Sequence, residues 1–239
     1  MTFQELFPHK KAVIAMLHLK GTTAEDIQER AKREISIFYQ NGVDAVLVEN
    51  YFGSTEDCRW ALEYLKEHYP DRIYGVNILG DTKSAFSLAD TYGAKFIQID
   101  SVCGHLRPHR EPAFVKSLDT LRSNSQALVF GGVRFKYQPI QSGRTVEEDL
   151  KIGMTRCDAV VVTGAGTGLD TPQEKIDLFR STLGDFPLIT GAGVTVQTAA
   201  QTLACCDGVI VGSWLKDGHD AYGEVNEAFV QQFMAAAKG

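Results

Sequence analysis

Eight short apolar runs alternate with longer amphipathic segments, and this alternation constrains the fold more than any other feature of the chain. The runs are residues 12–17, 44–48, 73–79, 95–99, 127–130, 158–162, 187–190 and 208–211. Alternating strands and helices build parallel sheets, and near-continuous apolar strands are those covered on both faces. A (β/α)8 barrel of one domain typically takes about 250 residues. We therefore predict an α/β fold, a single (β/α)8 barrel over residues 1–239.

The spacing of the strands suggests an internal repeat. Residues 44–48 read Asp-Ala-Val-Leu-Val, and residues 158–162, which begin 114 positions later, read Asp-Ala-Val-Val-Val. Matching spacings between other strands favour two half-barrels of four βα units each. Units of similar length, however, would produce part of this match in any barrel.

Composition limits the classes of partner and location. The formal net charge of −6 argues against a nucleic acid as the main partner, because a phosphate backbone is bound by a basic surface. No apolar run approaches the ~18 residues that span a bilayer, and the N-terminus lacks a secretory pattern. The five cysteines have neither disulfide nor zinc spacing. We expect a cytoplasmic protein without an integral membrane segment, and a homo-oligomer is left open.

Helix starts can be read at a few positions. Thr171-Pro-Gln-Glu174 has the order of an N-cap hydroxyl, a proline at the first helical position and a capping-box glutamate. Weaker versions begin at Thr23 and Ser54. We therefore predict that helices begin directly after these three residues.

Glycine-rich turns follow the seventh and eighth predicted strands, at residues 190–195 and 212–216. In (β/α)8 barrels these two loops often bind phosphate through backbone N–H groups. We expect a helix that starts near Val194 to add N–H donors and the positive end of its dipole. The alternative to phosphate binding is that these glycines only allow the chain to turn. We also expect Gly193 to lie in a surface loop, where a side chain could be introduced without loss of the fold. The predicted phosphate-binding residues are Gly191, Gly193, Val194, Gly212 and Ser213.

The loop after the sixth strand is richer still in glycine. Its spacing is G-x-G-x-G, and Asp-Thr-Pro intervenes before the next helix, so it does not match a dinucleotide fingerprint. We expect the loop to lie close to a ligand, and a flexible turn is the alternative. The loop residues concerned are Thr163, Gly164, Gly166 and Gly168.

Polar residues at the carboxyl ends of strands are the candidates for chemistry, because barrel active sites form there. They are His18, Glu49, Asn50, Asn77, Asp100, Arg134 and Lys136. In the fourth strand, Ile97 and Ile99 should face the helices, so that Gln98 and Asp100 face the barrel axis. Asp100 and Glu49 are therefore the predicted general acid and base, with His18 as a further proton carrier. A structural hydrogen-bonding role is the alternative for each.

The C-terminal motifs carry a family resemblance. Val-Thr-Gly-Ala-Gly-Thr-Gly at 162–168, Gly-Ala-Gly-Val-Thr at 191–195 and the segment 208–218 resemble the BtpA/SgcQ family. Residues 16–19 and 42–50 agree, so the resemblance spans nearly the whole chain. It implies a phosphate-type barrel, and one member is implicated in biogenesis of the photosystem I membrane complex. Lys136 matches a lysine of this family, and the resemblance implies that it pairs with a substrate carboxylate or polarises a carbonyl group.

The chain departs from the family pattern after its first strand. Lys20-Gly-Thr-Thr runs straight into a helix where a Pro-Leu-Pro-Gly-like turn is expected. The first loop is therefore shorter, which weakens the transfer of a membrane-complex role. No cofactor fingerprint is present. A divalent metal held by His18, Glu49 and Asp100 is conceivable but unsupported, and the sequence assigns no metal ligand.

The sequence as a whole favours an enzyme that acts on a small phosphorylated metabolite by acid–base chemistry, of the isomerase or lyase type. A Schiff-base aldolase is disfavoured, since Thr163 and Gly164 occupy the end of the sixth strand, where its lysine usually lies. The rival is a non-catalytic factor for assembly of a membrane complex, which an exposed apolar patch would favour.

Overall fold

The computed structural model describes residues 1–9 and 11–239, and in it eight parallel strands pair from β1 to β8 and back to β1, which closes a barrel. The strands are β1 Ala12–Leu17, β2 Ala45–Glu49, β3 Ile73–Asn77, β4 Phe96–Cys103, β5 Leu128–Val133, β6 Ala159–Val162, β7 Leu188–Thr190 and β8 Gly208–Val211. The single-domain (β/α)8 prediction is confirmed. β4 and β5 extend further toward their carboxyl ends than the apolar runs indicated.

Nine α-helices accompany the strands in the described residues. They are α1 Phe3–Leu6, α2 Ala24–Gln40, α3 Thr55–His68, α4 Thr82–Tyr92, α5 Glu111–Ser123, α6 Val146–Gly153, α7 Gln173–Leu183, α8 Ala199–Cys205 and α9 Glu227–Lys238. Thr23 and Ser54 cap α2 and α3 as predicted, because each hydroxyl accepts a hydrogen bond from the third helical N–H. The predicted cap at Thr171 is wrong. Pro172 precedes α7 without a side-chain cap, and the Thr171 hydroxyl donates to the carbonyl of Ala192 instead.

Alternate residues of each strand divide the core into two layers. In β1, Ile14 and Met16 face the barrel interior, whereas Val13 and Leu17 pack under the helices. The interior layer ends at the amino end of the barrel in the short helix α1. Phe3 of that helix packs on Phe130, with ring centroids 5.6 Å apart. The amino end is thus filled by aromatic side chains, and the carboxyl end is left to form a site.

The aspartates that precede β2 and β6 have the same role in the two halves of the barrel. Asp44 Oδ2 accepts from the N–H of Val13, and Asp158 Oδ2 accepts from the N–H of Val129, each at 2.7 Å. Each carboxylate satisfies an N–H at the start of the preceding strand, which would otherwise lack a ladder partner. Asp207, before β8, binds the N–H of Leu188 in the same way at 2.9 Å, so an aspartate at this position has a structural use beyond the repeated motif.

Candidate functional site

A cavity of about 450 Å³ opens at the carboxyl ends of the strands. This volume is in the range of small-molecule sites. Most of the predicted site residues line it. They are His18, Glu49, Asp100, Lys136, Gly168, Gly191, Gly193, Val194, Gly212 and Ser213.

Two carboxylates form one wall of the cavity. Asn77 Nδ2 donates to Glu49 Oε1 at 2.8 Å and to Asp100 Oδ1 at 3.2 Å, so one amide ties the two acids together. Gln98 also lines the cavity, while Ile97 and Ile99 pack under the helices, as the alternation in β4 predicted. Asn77 itself does not line the cavity, and it supports the carboxylates from behind.

Two titratable groups facing the cavity have shifted pKa values. Burial, followed by the negative charge of Asp100, raises the pKa of Glu49 to about 7. Lys136 faces the same cavity, and burial lowers the pKa of its ammonium group although Glu49 and Asp100 favour the charged form. An acid with such a pKa can take and return a proton at physiological pH.

His18 is held by a lysine that the sequence reasoning missed. Lys216 Nζ lies 2.8 Å from His18 Nδ1 and also donates to the carbonyl of Ala221 at 2.9 Å. Burial, followed by the charge of Lys216, lowers the pKa of His18 well below its usual value. His18 Nε2 points toward Glu49, with 3.7 Å between Nε2 and Oε2. A neutral imidazole is therefore held beside the carboxylate wall.

Lys216 lies in a group of charged side chains, most of them buried, near the segment 217–224. The lysine is 1% exposed, and burial lowers its pKa to about 8. Glu34 of α2 is also buried, and burial raises the pKa of its carboxyl group. Lys20 ion-pairs with Glu224 at 2.8 Å and donates to two carbonyl groups of the segment 222–223. The only sequence signal for Lys216 was its position just after the glycine turn of β8.

A bulge in β4 places Asp100. The pairing of β4 with β5 shifts register between Ile99 and Cys103, beside Gly132 of β5. A Cβ atom at Gly132 would lie 2.0 Å from the carbonyl oxygen of Asp100. Only glycine allows this approach, so Gly132 is a condition for the position of Asp100.

The opposite wall offers backbone donors. Gly193, Val194, Ser213 and Trp214 line the cavity, and within the described chain the N–H groups of these four residues have no protein acceptor. The N–H of Gly191, by contrast, donates to the carbonyl of Val162 at 2.7 Å, so Gly191 shapes this wall without offering a donor. Four uncommitted donors in a concave wall suit an anion.

Two expectations about this wall are wrong. α8 begins at Ala199, so no helix starts near Val194, and the donors belong to loops and a short 3-10 turn at Ser213–Leu215. Gly193 is also not an open surface position. Its φ is +71°, and a Cβ atom there would lie 2.2 Å from the carbonyl oxygen of Leu169. A side chain at Gly193 would therefore distort the backbone as well as the wall.

The glycine loop after β6 crosses toward the cavity at Thr167. The Thr167 N–H donates to Tyr137 Oη at 2.8 Å, and Lys136 Nζ donates to Thr167 Oγ1 at 3.2 Å. Gly168 lines the cavity, whereas Gly164 and Gly166 do not. The hydroxyl of Thr163 accepts from the backbone N–H of Lys136 at 2.9 Å, which fixes the start of the loop that carries this lysine.

Arg134 and Asn50 do not line the cavity, contrary to the ligand-contacting roles predicted for them. Arg134 donates through Nε to Asp149 Oδ2 at 2.8 Å, and Arg144 donates to the other oxygen of the same buried carboxylate. Asn50 accepts from the backbone N–H of Leu79 at 2.8 Å. Both residues hold loops in place, which explains polar side chains at these strand ends.

Neither a metal-binding cluster nor a membrane span is found in the described part of the chain. No group of three or more histidine, cysteine, aspartate or glutamate side chains in residues 1–9 and 11–239 is arranged to hold a metal ion. Within those ranges, no helix has the length and apolar character needed to cross a bilayer. His105, in the loop after β4, packs edge-on against Phe114.

The fold and the cavity define a (β/α)8 barrel with a site at the carboxyl end of its strands, and comparison with known proteins then gives the family. The BtpA family pattern matches residues 71–239, and the chain belongs to this family. It is 25% identical to the photosystem I biogenesis protein BtpA of Synechocystis, over 95% of this chain and 87% of that protein. It is also 25% identical to the putative sgc region protein SgcQ of Escherichia coli, over 97% of this chain and 96% of that protein.

Solved structures share the architecture. Phosphoribosylanthranilate isomerase from Thermotoga maritima has a TM-score of 0.62 and 13% identity, over 96% of this chain and 99% of that one. KDPG aldolase from Legionella pneumophila has a TM-score of 0.61 and 15% identity, over 95% and 93% of the two chains. At such identities the similarity establishes the (β/α)8 fold alone.

Proposed function

We propose that this protein is an enzyme that acts on a small phosphorylated metabolite by acid–base chemistry, of the isomerase or lyase type. The observation that carries the proposal is one cavity with two opposed walls. One wall holds Glu49, whose pKa is raised to about 7, beside Asp100, and the other holds unpartnered N–H groups around Gly193 and Ser213. Binding energy from a phosphate group would position the reacting carbon over the carboxylates.

Each side chain of the carboxylate wall has a role in this proposal. Glu49 exchanges the proton, and Asp100 keeps the pKa of Glu49 raised and orients Asn77. His18, neutral and held by Lys216, donates a hydrogen bond from Nε2 to a ligand oxygen. Lys136 stabilises negative charge that develops on a carbonyl oxygen. An isomerase and an aldolase among the solved structures with this fold are consistent with either reaction type.

The phosphate half of the proposal is tested by binding. Calorimetry with ribose 5-phosphate and with ribose should give binding for the phosphate ester alone. Ser213→Asp would place a carboxylate among the donors. Like charges about 4 Å apart at an effective dielectric near 20 repel by about 4 kcal/mol, which is roughly a thousandfold in affinity. Ser213→Asn, of the same size but uncharged, is the matched control. Equal affinity of the Asp and Asn variants would contradict the anion site.

The chemical half is tested by proton exchange. For a phosphorylated ligand that binds, incorporation of deuterium from D₂O into carbon-bound positions reports proton abstraction. Glu49→Gln should abolish the exchange while the ligand still binds, because the amide cannot take a proton. Exchange that persists in Glu49→Gln would remove Glu49 from the assigned role.

A second candidate is a factor for assembly of a membrane complex, as the name of the Synechocystis relative suggests. The observation that favours it is the apolar rim, which we define as the exposed side chains Tyr51, Phe52, Tyr137, Ile140, Leu169 and Tyr222. These are six of the seven large exposed hydrophobic residues in the described chain, and all follow strands at the carboxyl end. The test is the level of the assembled membrane complex in cells that carry each variant. If Ile140→Ser and Leu169→Ser abolish assembly while Glu49→Gln preserves it, the assembly role is favoured.

A further inference from the structure

Aromatic side chains line the open end of the cavity. Tyr51 follows β2, Tyr137 follows β5 and Trp214 follows β8, and all three line the same space. Tyr137 is 69% exposed and Tyr51 is 37% exposed. Large exposed rings around a concave site are surfaces that a bound molecule would cover.

The polar ends of two of these rings are already committed to the protein. Tyr137 Oη accepts from the N–H of Thr167 at 2.8 Å, and Tyr51 Oη donates to the Thr167 hydroxyl at 3.4 Å. Trp214 is stacked on His219, with the ring planes 3° apart and the centroids separated by 3.8 Å. The anchored hydroxyls restrict how the rings can turn. The Tyr51 ring also packs against His18 and Phe52, with centroids 5.2 and 4.8 Å apart. The exposed part of the ring surface, which is larger at Tyr137, is therefore what this end offers a ligand.

The rings and the N–H donors come from different loops around the same cavity. The unpartnered N–H groups come from the loops of β7 and β8, whereas Tyr51 and Tyr137 come from the loops of β2 and β5. Glu49 at the end of β2 and Asp100 in β4 line the same cavity. A ligand with its phosphate at the β7 and β8 loops therefore shares this cavity with the two tyrosine rings.

We propose that the ligand is a phosphate ester that carries a flat unsaturated ring, as nucleoside monophosphates do. The inference rests on the proposed function for its phosphate end and on the exposed tyrosines for its ring. Stacking on aromatic side chains tolerates many ring types, because every base presents a π-face. The site thus selects a phosphorylated molecule with a planar ring over a simple sugar phosphate.

The proposal is tested by calorimetry with AMP, UMP, ribose 5-phosphate and adenosine on the unmodified protein. Stacking of one base predicts that AMP binds about 5- to 150-fold more tightly than ribose 5-phosphate. Adenosine should bind more weakly than AMP because it lacks the anion. Equal affinities of AMP, UMP and ribose 5-phosphate would contradict the proposal that the ligand carries a planar ring, but not the proposed phosphate site. If none of the three phosphate esters binds, both this proposal and the proposed function are contradicted.

Matched variants separate the rings from their hydroxyls. Tyr51→Leu and Tyr137→Leu remove a π-face but keep apolar bulk, while Tyr51→Phe and Tyr137→Phe keep the ring. The ratio of the affinities for AMP and ribose 5-phosphate should fall at least about fivefold in a leucine variant and stay within twofold in its phenylalanine partner. Because Tyr51 and Tyr137 lie at the exposed mouth, circular dichroism should show folded variants. A ratio unchanged in both leucine variants would overturn the proposal.

Discussion

Lys216 Nζ lies 2.8 Å from His18 Nδ1, a contact between residues 198 positions apart in sequence. An ammonium group has donors only, so Nδ1 must be the acceptor in this hydrogen bond. A neutral imidazole whose Nδ1 accepts carries its proton on Nε2, the nitrogen that lies 3.7 Å from Glu49 Oε2. The Lys216 contact therefore favours the tautomer with a donor on Nε2 beside Glu49, over the one in which Nδ1 donates to the carbonyl of Ala221.

We predict that Lys216→Met changes the tautomer of His18. Without the ammonium donor, Nδ1 is free to carry the proton and donate to the carbonyl of Ala221, which lies 3.3 Å away. The pKa of His18 should also rise, since the charge of Lys216 is the second cause, after burial, that lowers it. Imidazole ¹⁵N chemical shifts report both changes. Exposed Lys151→Met is the control, and an unchanged Nε2–H signal in Lys216→Met would contradict the assignment.

A second prediction concerns the titration of Glu49. Infrared or ¹³C detection of its carboxyl group should give a midpoint near pH 7, and Asp100→Asn should lower it. The reason is that the charge of Asp100 is the largest cause after burial that raises the pKa of Glu49. Exposed Glu147→Gln should leave the midpoint unchanged. A midpoint that does not move in Asp100→Asn would show that the two carboxylates are not coupled.

The same shift predicts how Glu49 contributes to stability. Because its pKa is raised on folding, the contribution is fully present below the ordinary pKa of a glutamate and is lost as the pH rises through about 7. The free energy of unfolding of Glu49→Gln should therefore fall less between pH 5 and pH 8 than that of the wild type. Urea unfolding at a series of pH values measures this, and parallel profiles would refute it.

Gly132→Ala should displace Asp100. Its Cβ atom would lie 2.0 Å from the carbonyl oxygen of Asp100 and 2.5 Å from Phe135 Cδ2, so the bulge of β4 and the ring of Phe135 have to move. Overpacking of this kind typically costs about 1–3 kcal/mol, and we expect that loss in the free energy of unfolding. Ligand affinity should fall as well. Asp100→Asn removes the charge without moving the backbone. A larger loss of ligand affinity in Gly132→Ala than in Asp100→Asn would therefore indicate displacement of the backbone.

Asp149→Asn should loosen the loop between β5 and α6. Asp149 is 0% exposed and accepts from Arg134, Arg144 and Ser142, so its charge holds both ends of that loop. Removing one partner of a buried ion pair costs about 3–5 kcal/mol. We expect a loss near the lower value and faster hydrogen exchange in residues 136–143. Glu147→Gln on the same helix is exposed and should cost less than about 1 kcal/mol. Similar costs for the two variants would contradict this role.

The features that sequence reasoning located correctly depend on periodicity along single strands. Alternation in β4 puts Gln98 and Asp100 on the side opposite Ile97 and Ile99, and the cavity contains both polar residues. The carboxyl ends of parallel strands meet at one face, so Glu49, Asp100 and Lys136 were expected together, and the cavity brings them together. Their chemical roles stay predictions.

The errors concern loops. Arg134 was expected at a ligand, but it pairs with Asp149, whose buried carboxylate was not recognisable as a partner in the sequence. The helix expected near Val194 starts only at Ala199, because the chain first turns through Thr195 and Thr198, whose hydroxyl and backbone groups bond to each other. Loop conformation depends on such side-chain bonds, which follow no period along the chain.

The sequence by itself thus determined the barrel, the direction of its strand side chains and the position of the glycine-rich loops at the carboxyl ends of the strands. Only the tertiary structure decided that Lys216 contacts His18 and that Gly132 allows the close approach of Asp100. It also decided that the N–H of Gly191 donates to the carbonyl of Val162. The physical reason is the separation along the sequence of the residues that interact. Apolar periodicity is a property of neighbouring residues, whereas the protonation of His18 and Glu49 depends on charges brought close, and on water excluded, by packing of distant segments.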